Sequence, residues 1–130
     1  MSGRIGGRGH QDIFADDIQW AKGSSEGIDY ARFVLDEGNP MGPMVILSKF
    51  APGETVEPHT HETNYFEYVI DGEQTVGKVT FRQGDVRLVT GGTGYGPITI
   101  GPRGCTVLIV FQEAAKSIMV PKGAAAAAAA

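Results

Sequence analysis

Short apolar runs alternate with turn residues along the middle of the chain, at spacings of about 8 to 12 residues. This spacing is typical of an all-β domain. No stretch repeats the 3.6-residue helical period over three turns, although DDIQWAK has room for a single turn before the first strand. We predict nine strands in a sandwich or jelly-roll barrel: ARFVLD, MVILSKF, TVEPHTH, YFEYVID, EQTVGKVTF, DVRLVT, PITI, CTVLIVFQ and KSIMV.

Clusters of glycine and proline mark the predicted ends of these strands. Proline restricts the backbone and glycine reaches positive φ without a steric penalty, so such clusters favour turns or tight loops. We predict turns at Pro52-Gly53, Asp71-Gly72, Gln83-Gly84-Asp85, Gly91-Gly92 and Pro102 to Gly104.

The chain has the length of one domain, and 130 residues are enough to bury a core without disulfide or metal staples. Residues 1–11 are rich in Gly and Arg and are predicted to form a flexible arm. Residues 12–122 are predicted to form the barrel domain. Residues 123–130 consist of Gly123 and alanines, and we assign no function to this tail.

Composition narrows the choice of partners and compartment. The net charge is -4 and Lys and Arg do not cluster with aromatic residues, so we expect no nucleic-acid partner. No run approaches the roughly 20 apolar residues of a membrane span, so we expect no membrane partner. Cys105 is the single cysteine, which excludes an intrachain disulfide. Its apolar setting predicts a buried strand thiol in a reducing compartment, and we expect a cytoplasmic protein.

The pair His59 and His61 is the sharpest chemical feature of the chain. On a strand, side chains two residues apart share a face, with Cα atoms about 6 to 7 Å apart, so two imidazoles can close on one ion. Two histidines alone bind a divalent cation weakly, and a stable catalytic site generally has three protein ligands and an open position. Imidazole suits Zn, Fe, Ni, Cu and Mn, so the element stays open.

The frame around these histidines resembles the first motif of the cupin family, G-x5-H-x-H-x3/4-E-x6-G. Five residues separate Gly53 from His59, and Gly72 ends the frame. The second motif, G-x5-P-x-G-x2-H-x3-N, is matched more weakly, by Gly84, Thr90, Gly92, Tyr95 and Thr99. The resemblance spans roughly Trp20 to Phe111 and is to the small single-domain cupins.

The resemblance implies a cupin-like double-stranded β-helix of six to eight strands, with a divalent transition metal near its wider end. In the family, two histidines and a glutamate of the first motif and a histidine of the second hold the metal. This chain departs from that set twice. Tyr65 stands where the glutamate belongs, and Tyr95 replaces the last histidine.

Glu67 is the nearest candidate for a third ligand. Residues 65, 67 and 69 share one face of a strand, so Glu67 faces inward if Tyr65 does. It is then a displaced metal ligand, a general base, or a buried acid bonded to Tyr or Gln, because a buried carboxylate needs a partner. The spacing to Gly72 favours a position one pleat below the ligand site. The ion's need for an anion favours Glu67 as a ligand with His59 and His61, or as a close partner of the site.

The strands also predict a partly hydrophobic ligand, because the expected lining is apolar: Val69, Val76, Val107, Ile109 and Phe111. Three basic residues, Lys49, Arg82 and Arg87, could clamp a carboxylate if they faced inward. We expect solvated strand charges at all three.

Three functions fit these residues. The first is a metal-dependent enzyme, with oxygenase or lyase chemistry favoured on a small oxygenated compound and Tyr65, Tyr95 or Glu67 as catalytic groups. The second is a metal-free acid–base isomerase or cyclase that uses His and Tyr. The third is a non-catalytic module that binds a small ligand.

We also expect a homodimer, because similar cupins pair edge strands and the apolar segment from Phe14 to Trp20 has little of its own chain to cover it.

Overall fold

The protein is described here from a computed structural model, which covers residues 9–117 and the backbone of residues 120–121. The predicted arm, apart from residues 9–11, lies outside these ranges, and so does the alanine tail. No helix in the covered ranges is long and apolar enough to span a membrane.

Antiparallel strands make up most of the structure, as the spacing of apolar runs predicts. A 3-10 helix, Ala15–Asp17, precedes the first strand, and a second one, Ala114–Lys116, precedes the last. The strands are β1 (Ala21–Lys22), β2 (Ile28–Val34), β3 (Met44–Phe50), β4 (Thr55–Val56), β5 (His59–Thr60), β6 (Tyr65–Val76), β7 (Val79–Arg82), β8 (Val86–Val89), β9 (Ile98–Phe111) and β10 (Val120–Pro121).

Eight of the strands belong to one sheet, whose order is β1-β2-β3-β9-β6-β7, with β4 beside β9 and β8 beside β6. The other two, β5 and β10, pair with each other. The two long strands β6 and β9 lie side by side at the centre of the sheet and pair with most of the others. The predicted all-β fold is confirmed.

Two of the predicted turns are wrong. Asp71-Gly72 lies inside β6, so YFEYVID continues into the first part of EQTVGKVTF, whose remainder forms β7 after a turn at Gly77-Lys78. Pro102 to Gly104 lies inside β9, so PITI and CTVLIVFQ form one strand. The pairing of β6 with β9 slips at Val69/Asp71 and again at Gly72/Gln74. Gly72 has a φ of 79°, and a Cβ there would collide with the carbonyl oxygen of Gly104. The glycines therefore let β6 and β9 bend together where their backbones lie close to each other. Both strands continue through the bend, whereas a turn would have ended them.

Side-chain parity along β6 follows the prediction. Tyr65, Glu67 and Val69 are buried, whereas Phe66 is half-buried and Tyr68 is exposed. The alternation holds because the sheet has one face on the interior and the other on solvent. The buried core comprises Ile28, Val56, Val69, Ile98, Ile100, Cys105 and Val107, with a second cluster of Met44, Tyr65 and Phe111.

Cys105 belongs to this core, as its apolar setting predicts. Burial is the main cause that raises the pKa of its thiol to about 12. The thiol is therefore protonated at neutral pH and does not act as a nucleophile.

The two aromatic residues before the first strand, Phe14 and Trp20, differ in their exposure to solvent. Trp20 is half-buried, with the Lys49 ammonium 4.2 Å from its ring centroid. Phe14 is 70% exposed. Lys49 thus lies over an aromatic ring on the outside of the barrel, and it does not enter the cavity described below.

Candidate functional site

A cavity of about 320 Å³ lies inside the barrel. Apolar side chains from several strands form most of its wall, including Ile28, Met44, Ile46, Val56, Ile109 and Phe111. Two of these, Ile109 and Phe111, belong to the apolar lining predicted from the sequence. The structure brings all five candidate residues to this cavity: His59, His61, Tyr65, Glu67 and Tyr95.

His59 is held by a short backbone bridge to Tyr95. The His59 amide donates to the Tyr95 carbonyl at 3.0 Å, and the Tyr95 amide donates to the His59 carbonyl at 3.1 Å. The His59 Nδ1 lies 2.9 Å from the Glu57 carbonyl oxygen, which can only accept a hydrogen bond. Nδ1 therefore carries the proton, and Nε2 has the lone pair.

His61 is anchored in the same manner. Its Nδ1 donates to the Ser117 carbonyl oxygen at 2.8 Å, which assigns the proton of this ring also to Nδ1. The ring centroid lies 5.2 Å from that of His59 and 5.1 Å from that of Tyr65. Two imidazoles that each donate a hydrogen bond from Nδ1 therefore lie next to each other at the cavity wall.

Tyr65, Tyr95 and His59 form a continuous row of hydrogen bonds, which we call the tyrosine–histidine chain. The Tyr95 hydroxyl lies 3.2 Å from His59 Nε2 and donates to it, because that nitrogen has no proton to give. The oxygen of Tyr95 in turn accepts a hydrogen bond from the Tyr65 hydroxyl. The direction of all three bonds follows from the Glu57 carbonyl at the end of the row.

Burial keeps every member of this chain uncharged. It is the largest cause that lowers the pKa of His59, and the largest that raises the pKa values of Tyr65 and Tyr95. The shifts go in opposite directions because burial always disfavours the charged form. At neutral pH the site therefore presents a neutral base and two neutral hydroxyl donors.

Glu67 lies below the tyrosine–histidine chain, and both of its carboxylate oxygens have a hydrogen-bond partner. Arg87 Nη1 lies 2.6 Å from Glu67 Oε1, and the Gln74 amide donates to Oε2 at 2.8 Å. The side chains of Glu67 and Arg87 are only 6% and 11% exposed. We call these three residues the Glu67 cluster. Of the alternatives for Glu67, a buried acid with a glutamine partner agrees with these contacts.

The expectation that Arg87 is a solvated strand charge is wrong. It lies directly opposite Glu67 in the pairing of β8 with β6, where opposite charges stabilise each other across strands. Its guanidinium also lies 4.6 Å from the ring centroid of Tyr95 and 5.4 Å from that of Phe81. This residue therefore joins the Glu67 cluster to the tyrosine–histidine chain. Arg82, by contrast, is exposed as expected.

Gln74 is a member of the site that the sequence did not reveal. Seven residues of straight strand would place it roughly 23 Å from Glu67. It reaches the carboxylate because β6 bends at the two irregularities around Gly72. Only a prediction of that bend could have found it.

The cavity can be tested as a site for the metal that the cupin resemblance implies. The imidazoles of His59 and His61 are suitable donors, and their anchored Nδ1 atoms are typical of metal-binding histidines. The third ligand is lacking: within the covered ranges no group of three His, Cys, Asp or Glu side chains could hold an ion. Glu67 is bound by Arg87 and Gln74, and both phenols resist ionisation. The residues present do not complete a metal site, and the metal assignment of His59, His61 and Glu67 stays a prediction.

Comparison with known structures gives the same architecture. The polyketide cyclase RemF from Streptomyces resistomycificus has a TM-score of 0.70 at 15% identity, covering 86% of this chain and 84% of that one. KdgF from Halomonas sp. has a TM-score of 0.63 at 19% identity, covering 79% of this chain and 94% of that one. A chain of the complex of SigE with the anti-sigma ChrR from Rhodobacter sphaeroides has a TM-score of 0.61 at 19% identity, covering 75% and 51%.

These similarities establish the cupin fold, and the named proteins include an enzyme and a complex with an anti-sigma factor. None of the curated proteins matches this sequence. The sequence profile of the ChrR cupin-like domain matches residues 9–115, which is most of the chain. The protein therefore belongs to the family of ChrR cupin-like domains.

Proposed function

We propose that the protein is a small-molecule enzyme that moves a proton next to a carbonyl group, in an isomerisation or a cyclisation. The observation that carries this proposal is the tyrosine–histidine chain at the wall of a mostly apolar cavity. A neutral imidazole and neutral phenols are suited to general acid–base chemistry at neutral pH. Apolar walls favour an organic substrate with few polar groups.

The roles follow from the direction of the hydrogen bonds. A substrate carbonyl oxygen that enters between Tyr95 and His59 accepts the hydrogen bond of the Tyr95 hydroxyl. His59 Nε2 then takes the proton from the carbon beside the carbonyl. The C–H electron pair becomes the C=C bond of an enolate, whose oxygen is stabilised by Tyr95, and Tyr65 supports Tyr95 through its own hydrogen bond. Where a further C=C bond is conjugated with the enolate, the electron pair shifts along the conjugated system, and return of the proton from His59 to its far carbon isomerises the substrate.

The structural similarity to the polyketide cyclase RemF supports this reaction class, since cyclisation of a polyketone also begins at carbon beside a carbonyl. It is support by fold alone, at 15% identity. The residues that carry the proposal are those of this chain.

The test uses 2-tetralone, a neutral bicyclic ketone, whose exchange of hydrogen beside the carbonyl is followed by NMR in D2O. We expect the protein to accelerate exchange over buffer, and His59→Gln to remove on the order of 100-fold or more of that acceleration. Tyr95→Phe should lower the rate as well. Arg82→Gln, at an exposed position away from the cavity, is the control. Exchange that is no faster than in buffer, or unchanged in His59→Gln, would contradict the proposal.

The metal-dependent oxygenase or lyase is the second candidate, supported by the anchored Nδ1 atoms of His59 and His61. It requires a third ligand from outside the pair. Metal analysis of tag-free protein separates the two candidates. A full equivalent of metal that is lost in His61→Gln supports this second candidate, and traces of metal in both proteins contradict it.

A ligand-binding role without catalysis is the third candidate, supported by the match to the ChrR cupin-like domain. One structure with this fold is a complex of an anti-sigma factor with its sigma factor. Native mass spectrometry separates this role from catalysis. A small molecule that stays bound to the protein and is chemically unchanged supports binding. Conversion of that molecule to a product of altered structure supports an enzyme.

We also propose that two copies associate. The exposed Phe14 and the exposed apolar residues on the outer face of β8, of which Leu88 is 79% exposed, support this proposal. Light scattering at micromolar concentration should show a dimer. A monomeric mass would contradict the proposal, and Leu88→Lys, if the outer face of β8 is the interface, should shift the dimer toward monomer.

A further inference from the structure

A row of side chains on neighbouring strands runs around the barrel wall, and an arginine lies at each end of the row. Arg32 on β2 lies opposite Ile46 on β3, which lies opposite Ile109 on β9. Ile109 lies opposite Glu67 on β6, and Glu67 lies opposite Arg87 on β8. All except Arg87 line the cavity. Arg32 was not among the candidate residues of the sequence.

The two arginines differ in their electrostatic partners. Arg87 is neutralised by Glu67. Arg32 makes no ion pair with any residue of the covered ranges, and the rest of the chain contains no Asp or Glu. The charged side chains around the cavity therefore sum to one positive charge, which lies at Arg32, a residue that lines the cavity and is also exposed to solvent.

The guanidinium of Arg32 is also oriented toward the wall of the cavity. Its Nε and Nη2 atoms lie 3.3 and 3.2 Å from the sulfur of the fully buried Met44. The thioether occupies this edge of the guanidinium and leaves the edge formed by Nη1 and Nη2 for two parallel hydrogen bonds to a carboxylate. A thioether is a weak acceptor, so it holds the guanidinium in place without neutralising it.

We propose that the cavity takes an amphipathic monocarboxylate, with Arg32 binding its carboxylate group. The apolar row of Ile46 and Ile109 then covers the body of the ligand. Arg32 and Glu67 are three strand spacings apart, on the order of 14 Å along the curved sheet, which suits a ligand of about two fused rings. Contact between the other end of the ligand and the tyrosine–histidine chain rests on the proposed function. Carboxylate binding at Arg32 does not.

The test compares naphthalene-2-carboxylate with naphthalene-2-carboxamide, which have the same shape and differ in charge. Isothermal titration of the full chain should show that the carboxylate binds about tenfold more tightly than the amide or better, because charge-assisted pairs to arginine are stronger. Arg32→Gln should abolish the difference and leave amide binding unchanged. Arg82→Gln, which makes the same change in net charge at an exposed position outside the cavity, should keep the difference.

Three results would overturn the inference: equal binding of both probes by the natural protein, binding of neither probe, or an undiminished preference in Arg32→Gln. Arg32→Lys serves as the second variant, and it should keep part of the preference because the charge remains while the paired geometry is lost. Exchange of 2-tetralone, which has no carboxylate, tests the proposed function separately from carboxylate binding. Failure of that exchange reaction in the natural protein would remove the proposed function and leave carboxylate binding by Arg32 in place.

Discussion

Two groups of polar side chains face the same barrel interior, and they differ in how they tolerate burial. The Glu67 cluster contains full charges, and every charge has a partner at hydrogen-bond distance. The tyrosine–histidine chain contains no charge, because burial lowers the pKa of His59 and raises those of the two tyrosines. A buried charge without a partner is costly, whereas a neutral hydrogen-bonded group is not. The first group is therefore suited to holding the barrel together, and the second to meeting a ligand.

The two groups meet at Arg87, whose guanidinium lies over the ring of Tyr95 and also hydrogen-bonds to the Tyr95 side chain. A cation over an aromatic ring contributes on the order of 1 kcal/mol. This is small beside the ion pair itself. Variants of one group should therefore leave the other largely intact, and this separation can be tested by measurement.

The largest effect should come from breaking the Glu67 cluster. Arg87→Met leaves the Glu67 carboxylate buried with only Gln74 as a partner, so we expect a loss of about 3–5 kcal/mol in the free energy of unfolding. The double variant Glu67→Gln with Arg87→Met should recover much of that loss, because no buried charge then remains. Urea denaturation measures both.

Lys22→Met is the matched control, because it breaks an ion pair of the same type, Lys22 with Asp29, at the surface. It should change the stability little. If Arg87→Met cost no more than this control, the Glu67 cluster would not be the stabilising group. If Glu67→Gln alone removed bound metal or activity from a stable protein, Glu67 would instead be a ligand or a base, as the sequence allows.

A smaller effect should come from the tyrosine–histidine chain. Tyr95→Phe leaves the buried Nε2 of His59 without its donor, at a cost of about 1–3 kcal/mol, whereas Tyr65→Phe removes a single hydrogen bond, worth about 1 kcal/mol. Urea denaturation should therefore rank Arg87→Met, Tyr95→Phe and Tyr65→Phe in that order. A greater loss in Tyr65→Phe than in Tyr95→Phe would contradict the assigned direction of the hydrogen bonds.

The smallest effect should be a dependence on acid pH. Because the pKa of His59 is lowered by folding, the unfolded chain binds more protons as the pH falls below about 6.5. The contribution of His59 to stability is therefore complete above that pH and is lost as the pH falls toward the lowered pKa. Unfolding free energies at pH 7.5 and 5.5 should differ more in the natural protein than in His59→Gln. His10→Gln, at an exposed position, should leave the difference unchanged.

Much of the fold could be predicted from local pattern alone. The alternation at Tyr65, Glu67 and Val69 placed three side chains on the inner face, because the pleat of a strand has a fixed period of two. The error at Gly72 shows where such a pattern fails. A glycine at positive φ serves a turn and a bent strand equally well, and only the neighbouring strand at Gly104 distinguishes them.

By itself, the sequence determined the all-β class, the pair of histidines two residues apart, and the replacement of two expected ligands by Tyr65 and Tyr95. These depend on spacing along one strand or one motif. Only the tertiary structure decided that Arg87 neutralises Glu67, that Gln74 reaches the same carboxylate, and that Arg32 has no acid beside it. Each of these depends on which strands lie next to each other and how far they bend, because partners on different strands are chosen by register and not by sequence distance.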